Sequence, residues 1–292
     1  MSAGRESARS RRPRRTGVPW LVLQLVLSGS LLLLFLLPIY ALFTYAPPSE
    51  ILAAATDPAV DSALYLTFLA SGIAVLAAIV FAIPLGYLLA RRTFPGRSIV
   101  EAVVALPVVV PHLLVGVGLF FLLIPGTPLY RFTTAIGLPV YDTIWGVVLV
   151  MVFVSAPYTV LAATLSFRAI DHRVLEAARS LGAGPATAFL TVSFPLALRG
   201  IVAGLLLTWA RAVSEIGGIL IIAFAVYPGG PYNGPVTSTI SVLVYNLFQN
   251  GNLADAAAVS SVFLLIAFAL FLLVRLGERS GWVPWRRGDL LP

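Results

Sequence analysis

Four polar residues interrupt a long apolar stretch in the last third of the sequence, in the segment TWARAVSEIGG. Arg211 and Glu215 are four residues apart, so in a helix they lie on one face and close enough to form an ion pair. Ionisable side chains inside a membrane usually face a bundle interior or a water-filled path. One interpretation is a structural pair that fixes the rotation of the helix. The other is a passage for an anion, lined by Arg211, Thr208 and Ser214, in which Glu215 holds the arginine in place.

Residues 168–199 form a second polar stretch, which separates two long apolar runs. Asp171 can cap a helix because its short side chain accepts hydrogen bonds from the free N–H groups of the first turn. Gly182 or Gly184 can supply the left-handed residue that ends such a helix, and Pro185 suits the first turn of the next one. Four apolar residues recur at helical spacing on one face: Val174, Leu175, Ala178 and Leu181. The pattern predicts an amphipathic helix, a sharp turn and a second helix, although by itself it also fits a solvated hairpin.

The composition indicates that both polar stretches belong to a membrane protein. The chain has 292 residues, of which 59% are hydrophobic and 11% charged, and its mean hydropathy is +0.97. A soluble protein of this size could not bury so much apolar surface, so the solvent is a bilayer. The net charge of +7 then reflects arginines that flank membrane spans rather than a nucleic-acid interface.

Two absent residue types limit the chemistry of the chain. It has no cysteine, which excludes disulfides, thiolate metal sites and thiol nucleophiles. All 19 basic residues are arginine, and a phosphate-binding P-loop needs a lysine to reach the β- and γ-phosphates. Any ATP that drives this protein is therefore hydrolysed by another subunit. The apolar runs contain no metal motif and no catalytic set of carboxylates or of Ser, His and Asp, so we predict no catalytic and no metal-binding residues.

The apolar runs predict six membrane-spanning helices. Each is long enough to cross a hydrocarbon core of about 30 Å, and they comprise residues 20–43, 62–90, 99–123, 143–167, 200–226 and 254–274. The first run follows a basic start, as in a signal peptide, but it is too long for the apolar region of one. Pro107 and Pro111 predict a kink in the third run, and we interpret His112 as a donor to a carbonyl that the kink frees. Residues 238–248 have a helical pattern that is too short and polar to span, so we expect them at the outer mouth.

The arginines predict the orientation of the chain. Cytoplasmic segments of membrane proteins are enriched in Lys and Arg, and with the N-terminus inside, all but two of the 19 arginines lie on that side. The exceptions are Arg131, in an outer loop, and Arg211, in the fifth run. The predicted organisation is a disordered basic cytoplasmic N-terminus at residues 1–17, a membrane domain at 18–275 and a cytoplasmic tail at 276–292. The polar stretch that precedes the fifth run is cytoplasmic as well.

This cytoplasmic stretch carries a motif. It reads, with x for any residue, Glu176-Ala177-Ala178, three residues, Gly182, nine residues, Val192-x-Phe194-Pro195. The arrangement resembles the EAA loop of the permeases of binding-protein-dependent ABC importers, whose pattern ends in Ile-x-Leu-Pro. Val192 and Phe194 replace the usual isoleucine and leucine, apolar for apolar, and the spacing matches throughout.

The resemblance implies a type I ABC importer fold, which is an all-α membrane protein with six transmembrane helices and a cytoplasmic coupling helix. The residues that would dock on a cytoplasmic ATPase subunit are Leu175, Glu176, Ala177, Ala178, Arg179, Gly182 and Pro195. The resemblance also implies a homodimer of this subunit, two ATPase subunits that bind ATP and magnesium, and an external solute-binding protein. It implies no cofactor on this chain and a location in the cell membrane.

The fifth run indicates the class of solute. Its stretch Ala-Arg-Ala-x-x-Glu-x-Gly, at residues 210–217, is similar to one in molybdate, tungstate and sulfate permeases, and residues 238–246 resemble tungstate and molybdate permeases. The resemblance implies import of a tetrahedral oxyanion, tungstate or molybdate, with sulfate, thiosulfate or another solute as the alternative. An ATP-independent secondary transporter is the alternative from another class, but it would need inverted repeats and carboxylates near the midplane, where only Glu215 qualifies. A membrane-embedded enzyme or a scaffold ranks third.

Overall fold

The computed structural model describes residues 18–227 and 236–280. The predicted basic N-terminus at 1–17, the end of the predicted C-terminal tail at 281–292, and part of the last outer loop at 228–235 lie outside the described residues. Within the described ranges, the only β-structure is one isolated bridge between Val226 and Thr237.

Fourteen α-helices make up most of the described chain. They are α1 (Val18–Tyr45), α2 (Pro48–Ala55), α3 (Pro58–Ala77), α4 (Ile83–Arg91), α5 (Arg97–Val109), α6 (His112–Leu123), α7 (Pro128–Ala135), α8 (Ile144–Arg168), α9 (His172–Ser180), α10 (Pro185–Ala188), α11 (Phe194–Val213), α12 (Ile219–Ile222), α13 (Ile240–Gln249) and α14 (Leu253–Ser280). Two π-helical turns, Ala78–Ala82 and Phe189–Ser193, join α3 to α4 and α10 to α11. The helix predicted at 238–248 is confirmed as α13.

In the described part of the chain, five continuous helices are long and apolar enough to cross a membrane: Trp20–Tyr45, Pro58–Arg91, Ile144–Arg168, Pro185–Val213 and Leu253–Val274. A sixth crossing is formed only if α5 and α6 are counted together, and these two helices are bent by 115° at their junction. Pro111 lies in that junction. The predicted kink in the third run is therefore a sharp break. At the other end of the domain, α14 continues to Ser280, past the predicted boundary at residue 275.

The fifth crossing lies earlier in the chain than the sequence predicted. We expected residues 200–226, whereas the helix comprises Pro185–Val213 and ends before Glu215. The prediction was wrong because the apolar residues 219–226 continue the hydropathic run. In the structure they do not continue the helix, since α12 is a separate short turn, buried against α6 and α8.

Each π-helical turn comes shortly before a proline. Pro84 lies two residues after the first turn, and Pro195 lies two residues after the second. A proline inside an α-helix cannot bond to the carbonyl four residues earlier, and its ring collides with that carbonyl. A π-helical turn relaxes this conflict because it shifts the bonding by one residue. The second and fifth crossings therefore continue through proline without a break.

Helix α8 is central to the bundle and packs against α3, α4 and α11. Small residues allow the closest of these approaches. A β-carbon at Gly204 of α11 would collide with Cβ of Ala162, and one at Gly200 would collide with the side chain of Ser166. Such small residues let two helix backbones approach closely, which stabilises helix pairs in a membrane. This close contact between α8 and α11, called here the α8–α11 seam, fixes the rotation of the helix that carries Arg211.

Candidate functional site: an intramembrane polar cluster and a projecting helix–turn

The polar residues at the end of the fifth crossing form a cluster with a histidine from the broken helix. Nη2 of Arg211 donates to Oε2 of Glu215 at 2.7 Å, and it lies 2.7 Å from Nδ1 and 2.8 Å from Nε2 of His112. Because a guanidinium group only donates hydrogen bonds, the imidazole is the acceptor. Oε1 of Glu215 accepts from the backbone N–H of Gly218 at 2.8 Å, and Nη1 of Arg211 donates to Oγ of Ser214 at 3.1 Å. Both oxygens of the carboxylate are therefore paired.

The cluster has a buried side and an accessible side. The side chain of Glu215 is only 1% exposed, whereas that of Arg211 is 18% exposed and that of His112 is 34% exposed. Ser214 is also exposed. The negative charge is thus enclosed, while the guanidinium, the imidazole and the hydroxyl can be reached from outside the subunit. The guanidinium, which carries the positive charge, is thus more accessible than the carboxylate.

The cluster lies level with the interior of α8. Thr208 comes three residues before Arg211 and donates to the carbonyl oxygen of Ser155, near the middle of that helix. On the other side, a β-carbon at Gly218 would lie 2.5 Å from Cγ1 of Val150. The charged residues therefore lie beside the interior of an apolar crossing, although the fifth crossing itself ends next to them. Ionisable groups in such surroundings are costly and commonly mark a path for ions or substrates.

Close glycine contacts bring the broken helix against the end of the fifth crossing. A β-carbon at Gly116 would lie 2.9 Å from both Cα and the carbonyl oxygen of Gly218, and one at Gly217 would lie 2.9 Å from the backbone nitrogen of Leu113. Backbone packs directly on backbone here. This contact brings His112 beside Arg211, although 99 residues separate them in the sequence.

Three of the four residues that the sequence predicted for a passage lie in this cluster: Arg211, Ser214 and Glu215. Thr208 does not join them. It is buried between two helices, where its Oγ1 lies 2.7 Å from Oγ1 of Thr159 and donates to Ser155 at 3.0 Å. Thr208 therefore lies in the contact between α8 and α11 and not on the accessible side of the cluster.

Two features of the cluster differ from the sequence-based interpretation. Glu215 lies just beyond the end of α11 rather than on its face, so the ion pair with Arg211 forms across the helix end. His112 was interpreted as a donor to a freed carbonyl, and instead it accepts from Arg211. No spacing signal in the sequence could have linked these two residues, because the link depends on the angle of the break.

The predicted amphipathic helix and turn are confirmed as α9 and the residues that follow it. Asp171 caps the helix, since its carboxylate accepts from the N–H of Arg173 at 2.9 Å. Gly182 has a φ of +87°, whereas Gly184 has a φ of −65° and caps α10. Two hydrogen bonds close the turn: Gly182 N–H to Arg179 O at 2.9 Å, and Ala183 N–H to Ala178 O at 3.0 Å. This is a Schellman end, which needs a left-handed residue at the position of Gly182.

The apolar face of α9 is divided between the protein itself and the outside. Leu175 is 3% exposed and packs inward, whereas Val174 is 43% exposed and Leu181 is 89% exposed. We expected Leu175 among the docking residues, but it is not on the exposed surface of α9. The helix lies against α10 and the second π-helical turn, and this contact buries the centre of the apolar face. Ala178 is half-buried, and the other predicted docking residues are exposed: Glu176, Ala177, Arg179, Gly182 and Pro195.

The carboxylate of Glu176 is held only by a surface contact. Its Oε1 lies 2.9 Å from Nδ1 of His172, and the two side chains are 61% and 67% exposed. Such exposed pairs contribute about 0.2–1 kcal/mol, so a partner protein can displace the histidine at little cost. Among residues 18–227 and 236–280, no group of three His, Cys, Asp or Glu side chains could hold a metal ion.

The helix–turn and the cluster both lie within a stretch that matches a known protein family. The family described as "Binding-protein-dependent transport system inner membrane component" matches residues 82–280. The chain belongs to this family. It is therefore a multi-pass membrane permease subunit of an ABC transporter.

Individual relatives agree with this assignment. The permease subunit is 37% identical over 219 residues to the molybdate/tungstate transport system permease protein WtpB of Thermococcus kodakarensis, a match that covers 75% of this chain and 79% of the relative. It is 31% identical over 256 residues to the probable sulfate transport system permease protein cysT of Helicosporidium sp. subsp. Simulium jonesii, with 86% and 92% covered.

A solved structure shows the same fold. The bacterial alginate ABC transporter, crystallised in complex with its alginate pentasaccharide-bound periplasmic protein, contains a chain that superposes with a TM-score of 0.68 at 19% identity. The superposition covers 89% of this permease subunit and 94% of that chain. At this identity the likeness concerns the fold alone, and it confirms the predicted type I importer architecture.

Proposed function

We propose that two copies of this chain form the membrane passage of an ATP-driven importer for a tetrahedral oxyanion, with tungstate or molybdate as the solute. An external solute-binding protein delivers the anion, and two cytoplasmic ATPase subunits bind ATP and magnesium and hydrolyse the ATP. The 37% identity with a molybdate/tungstate permease supports the solute. Sulfate is the second candidate, supported by the 31% identity with a probable sulfate permease.

The accessible side of the polar cluster is the observation that best supports an anion passage. Arg211 offers N–H donors to the oxygens of a tetrahedral anion, and a charge-assisted bond from a guanidinium is among the strongest hydrogen bonds in proteins. His112 and Ser214 hold the guanidinium in place. The enclosed carboxylate of Glu215 offsets the arginine charge while the passage is empty. The site is therefore attractive enough for an anion to enter and weak enough for it to leave, as conduction requires.

Helix α9 is proposed to transmit the work of the ATPase subunit. Its exposed Val174 and Leu181 and its carboxylate Glu176 suit a groove that is apolar with a polar rim. When the two ATPase subunits close on ATP, they draw the two α9 helices together. The crossings then rock between inward-open and outward-open states, which is a rigid-body switch biased by ATP on one side and by the binding protein on the other.

The orientation that this mechanism needs has both termini and α9 in the cytoplasm. Because the chain has no cysteine, a single introduced cysteine reports its own accessibility. Leu181→Cys should react with a membrane-impermeant maleimide only in inside-out vesicles, and Thr134→Cys on α7 should react only in intact cells. The reverse pattern would contradict the mechanism, since α9 would then face the exterior.

Reconstitution tests the assembly and the solute. The full chain is co-expressed with the ATPase subunit and the solute-binding protein, and uptake of tungstate, molybdate and sulfate into proteoliposomes is measured with and without ATP. We expect the ATPase subunit to co-purify and uptake to require ATP, with tungstate or molybdate preferred. Preference for sulfate would select the second candidate, and uptake without an ATPase subunit would indicate a secondary transporter.

A double substitution separates a pathway role of Arg211 from a purely structural one. Arg211→Gln alone leaves the enclosed carboxylate of Glu215 without a counter-charge, which is strongly destabilising. The informative variant is therefore Arg211→Gln with Glu215→Gln, which keeps two neutral partners. A structural pair predicts that this variant transports normally. A pathway role predicts that the double variant assembles but that its rate of uptake falls at least about tenfold, a difference of about 1.4 kcal/mol. Arg199→Gln, on an exposed part of the same helix, is the control.

A further inference from the structure

Two arginines exchange hydrogen bonds between the ends of α4 and α8 that lie nearest to α9. Arg91, the last residue of α4, donates through Nη2 to the carbonyl oxygen of Ile170 at 3.2 Å. Arg168, the last residue of α8, donates through Nη2 to the carbonyl oxygen of Leu89 at 3.4 Å. The last carbonyls of a helix have no partner within it, and a cation is favoured beside them. Arg168 therefore caps the end of α4, and Arg91 binds the residues that directly follow α8.

Arg168 also reaches the broken helix. Its Nη2 lies 2.6 Å from Oε1 of Glu101 in α5, and the same oxygen accepts from Nε of Arg97 at 3.1 Å. Arg97 and Glu101 are on one helix, so only the bond from Arg168 joins separate elements. Val100 and Val104 pack α5 against α4 and α8. The ion pair adds a directional polar contact between α5 and the end of α8, and its two side chains are 41% and 40% exposed.

The two chain junctions that meet here lead to the two parts of the proposed mechanism. The junction at residues 169–171 leads directly into α9, which we propose to dock on the ATPase subunit. The junction at residues 92–96 leads into α5, and from α5 the chain passes through the break at Pro111 to His112 in the polar cluster. A displacement of α9 thus has a short contiguous route to the cluster, and it passes through Arg168 and Glu101.

We propose that Arg168 and Glu101 are positioning residues that transmit the movement of α9 to the broken helix and so to the polar cluster. The inference rests on the proposed function. When the ATPase subunit displaces α9, the end of α8 moves with it, and the ion pair obliges α5 to follow. Without the pair, α5 lags behind, His112 stays beside Arg211, and ATP is hydrolysed without opening the passage.

The test is the number of anions taken up per ATP hydrolysed. The complete transporter in proteoliposomes is supplied with whichever of tungstate, molybdate or sulfate the unsubstituted assembly takes up. Glu101→Gln and Arg168→Gln should each lower the ratio by up to about 5-fold, because the pair is partly exposed and such pairs are weak, while the ATPase subunit still co-purifies. Arg97→Gln is the matched control, because it removes a bond to the same oxygen without separating two helices, and it should leave the ratio unchanged.

A variant in which the two charges are exchanged distinguishes a positioning role from a general disruption of the fold. Glu101→Arg combined with Arg168→Glu should restore most of the ratio, and this variant also decides the matter if the single variants fail to assemble. An unchanged ratio in Glu101→Gln, an equal loss in Arg97→Gln, or no recovery on reversal would overturn the proposal. These outcomes are distinct from failure of the proposed function, which would appear as absent ATP-dependent uptake by the unsubstituted chain.

Discussion

Gly182→Ser tests whether the left-handed turn after α9 is required for docking. The φ of Gly182 is +87°, and no heavy atom lies within 4 Å of the position that a β-carbon would take. Steric contacts with neighbours therefore contribute nothing, and the cost is that of the backbone conformation. An L-residue in the left-handed region costs about 1–2 kcal/mol, which shifts the equilibrium between the formed and the open turn by a factor of about 5–30. If only the formed turn docks, the apparent affinity falls by up to that factor.

The assay is a binding titration of the ATPase subunit against the purified permease subunit. Gly182→Ser should bind up to about 30-fold more weakly, and Gly182→Asn should be intermediate because asparagine tolerates the left-handed region. Gly184→Ser is the matched control. It also has open space for a side chain, its φ is −65°, and serine is favoured at its N-cap position. Equal affinities of the two serine variants would refute the role of the left-handed turn.

Two further predictions concern stability. Gly116→Ala should lower the free energy of unfolding by about 1–3 kcal/mol, because its β-carbon would lie 2.9 Å from the backbone of Gly218. Gly118→Ala, with no atom within 4 Å, should not lower it, and equal thermal midpoints would contradict the close packing. Burial raises the pKa of Asp142, which lies in the loop before α8, although a backbone hydrogen bond at Ala225 opposes the shift. The folded chain thus favours the protonated carboxyl, and the associated stability is lost as the pH rises from the usual range of an aspartate through the raised pKa. Asp142→Asn should abolish that loss and be more stable at neutral pH, and a variant no more stable than the parent would contradict this.

The polar stretch at residues 168–199 shows which structural features neighbouring residues alone can predict. The N-cap at Asp171, the break at Gly182 and the start at Pro185 depend on a few neighbouring residues, so spacing alone predicted the helix, the turn and the next helix. Spacing could not predict which face of α9 is exposed. Leu175 and Leu181 are equally apolar in the sequence, and only the packing of α9 against α10 turns one inward and leaves the other exposed.

The fifth crossing shows that hydropathy, too, fails to predict a feature that depends on packing. Hydropathy registers that residues 219–226 are apolar, but it cannot distinguish a helix that continues through the membrane from a short turn buried against its neighbours. The helix ends at Val213, and α12 packs in the protein interior instead. The prediction of the fifth boundary failed because an apolar residue is stable in either environment.

Composition and motif spacing were sufficient to predict that this chain is a multi-pass membrane permease subunit of an ABC transporter. These properties are sums over the chain or relations between near neighbours, and a sequence contains them directly. Only the tertiary structure decided that His112 joins Arg211, that Thr208 belongs to a helix seam and that Arg168 reaches Glu101. Each of these contacts joins residues that are at least 49 positions apart. Such contacts depend on the angle of a break and on how closely glycines let helices approach, and neither can be read from spacing.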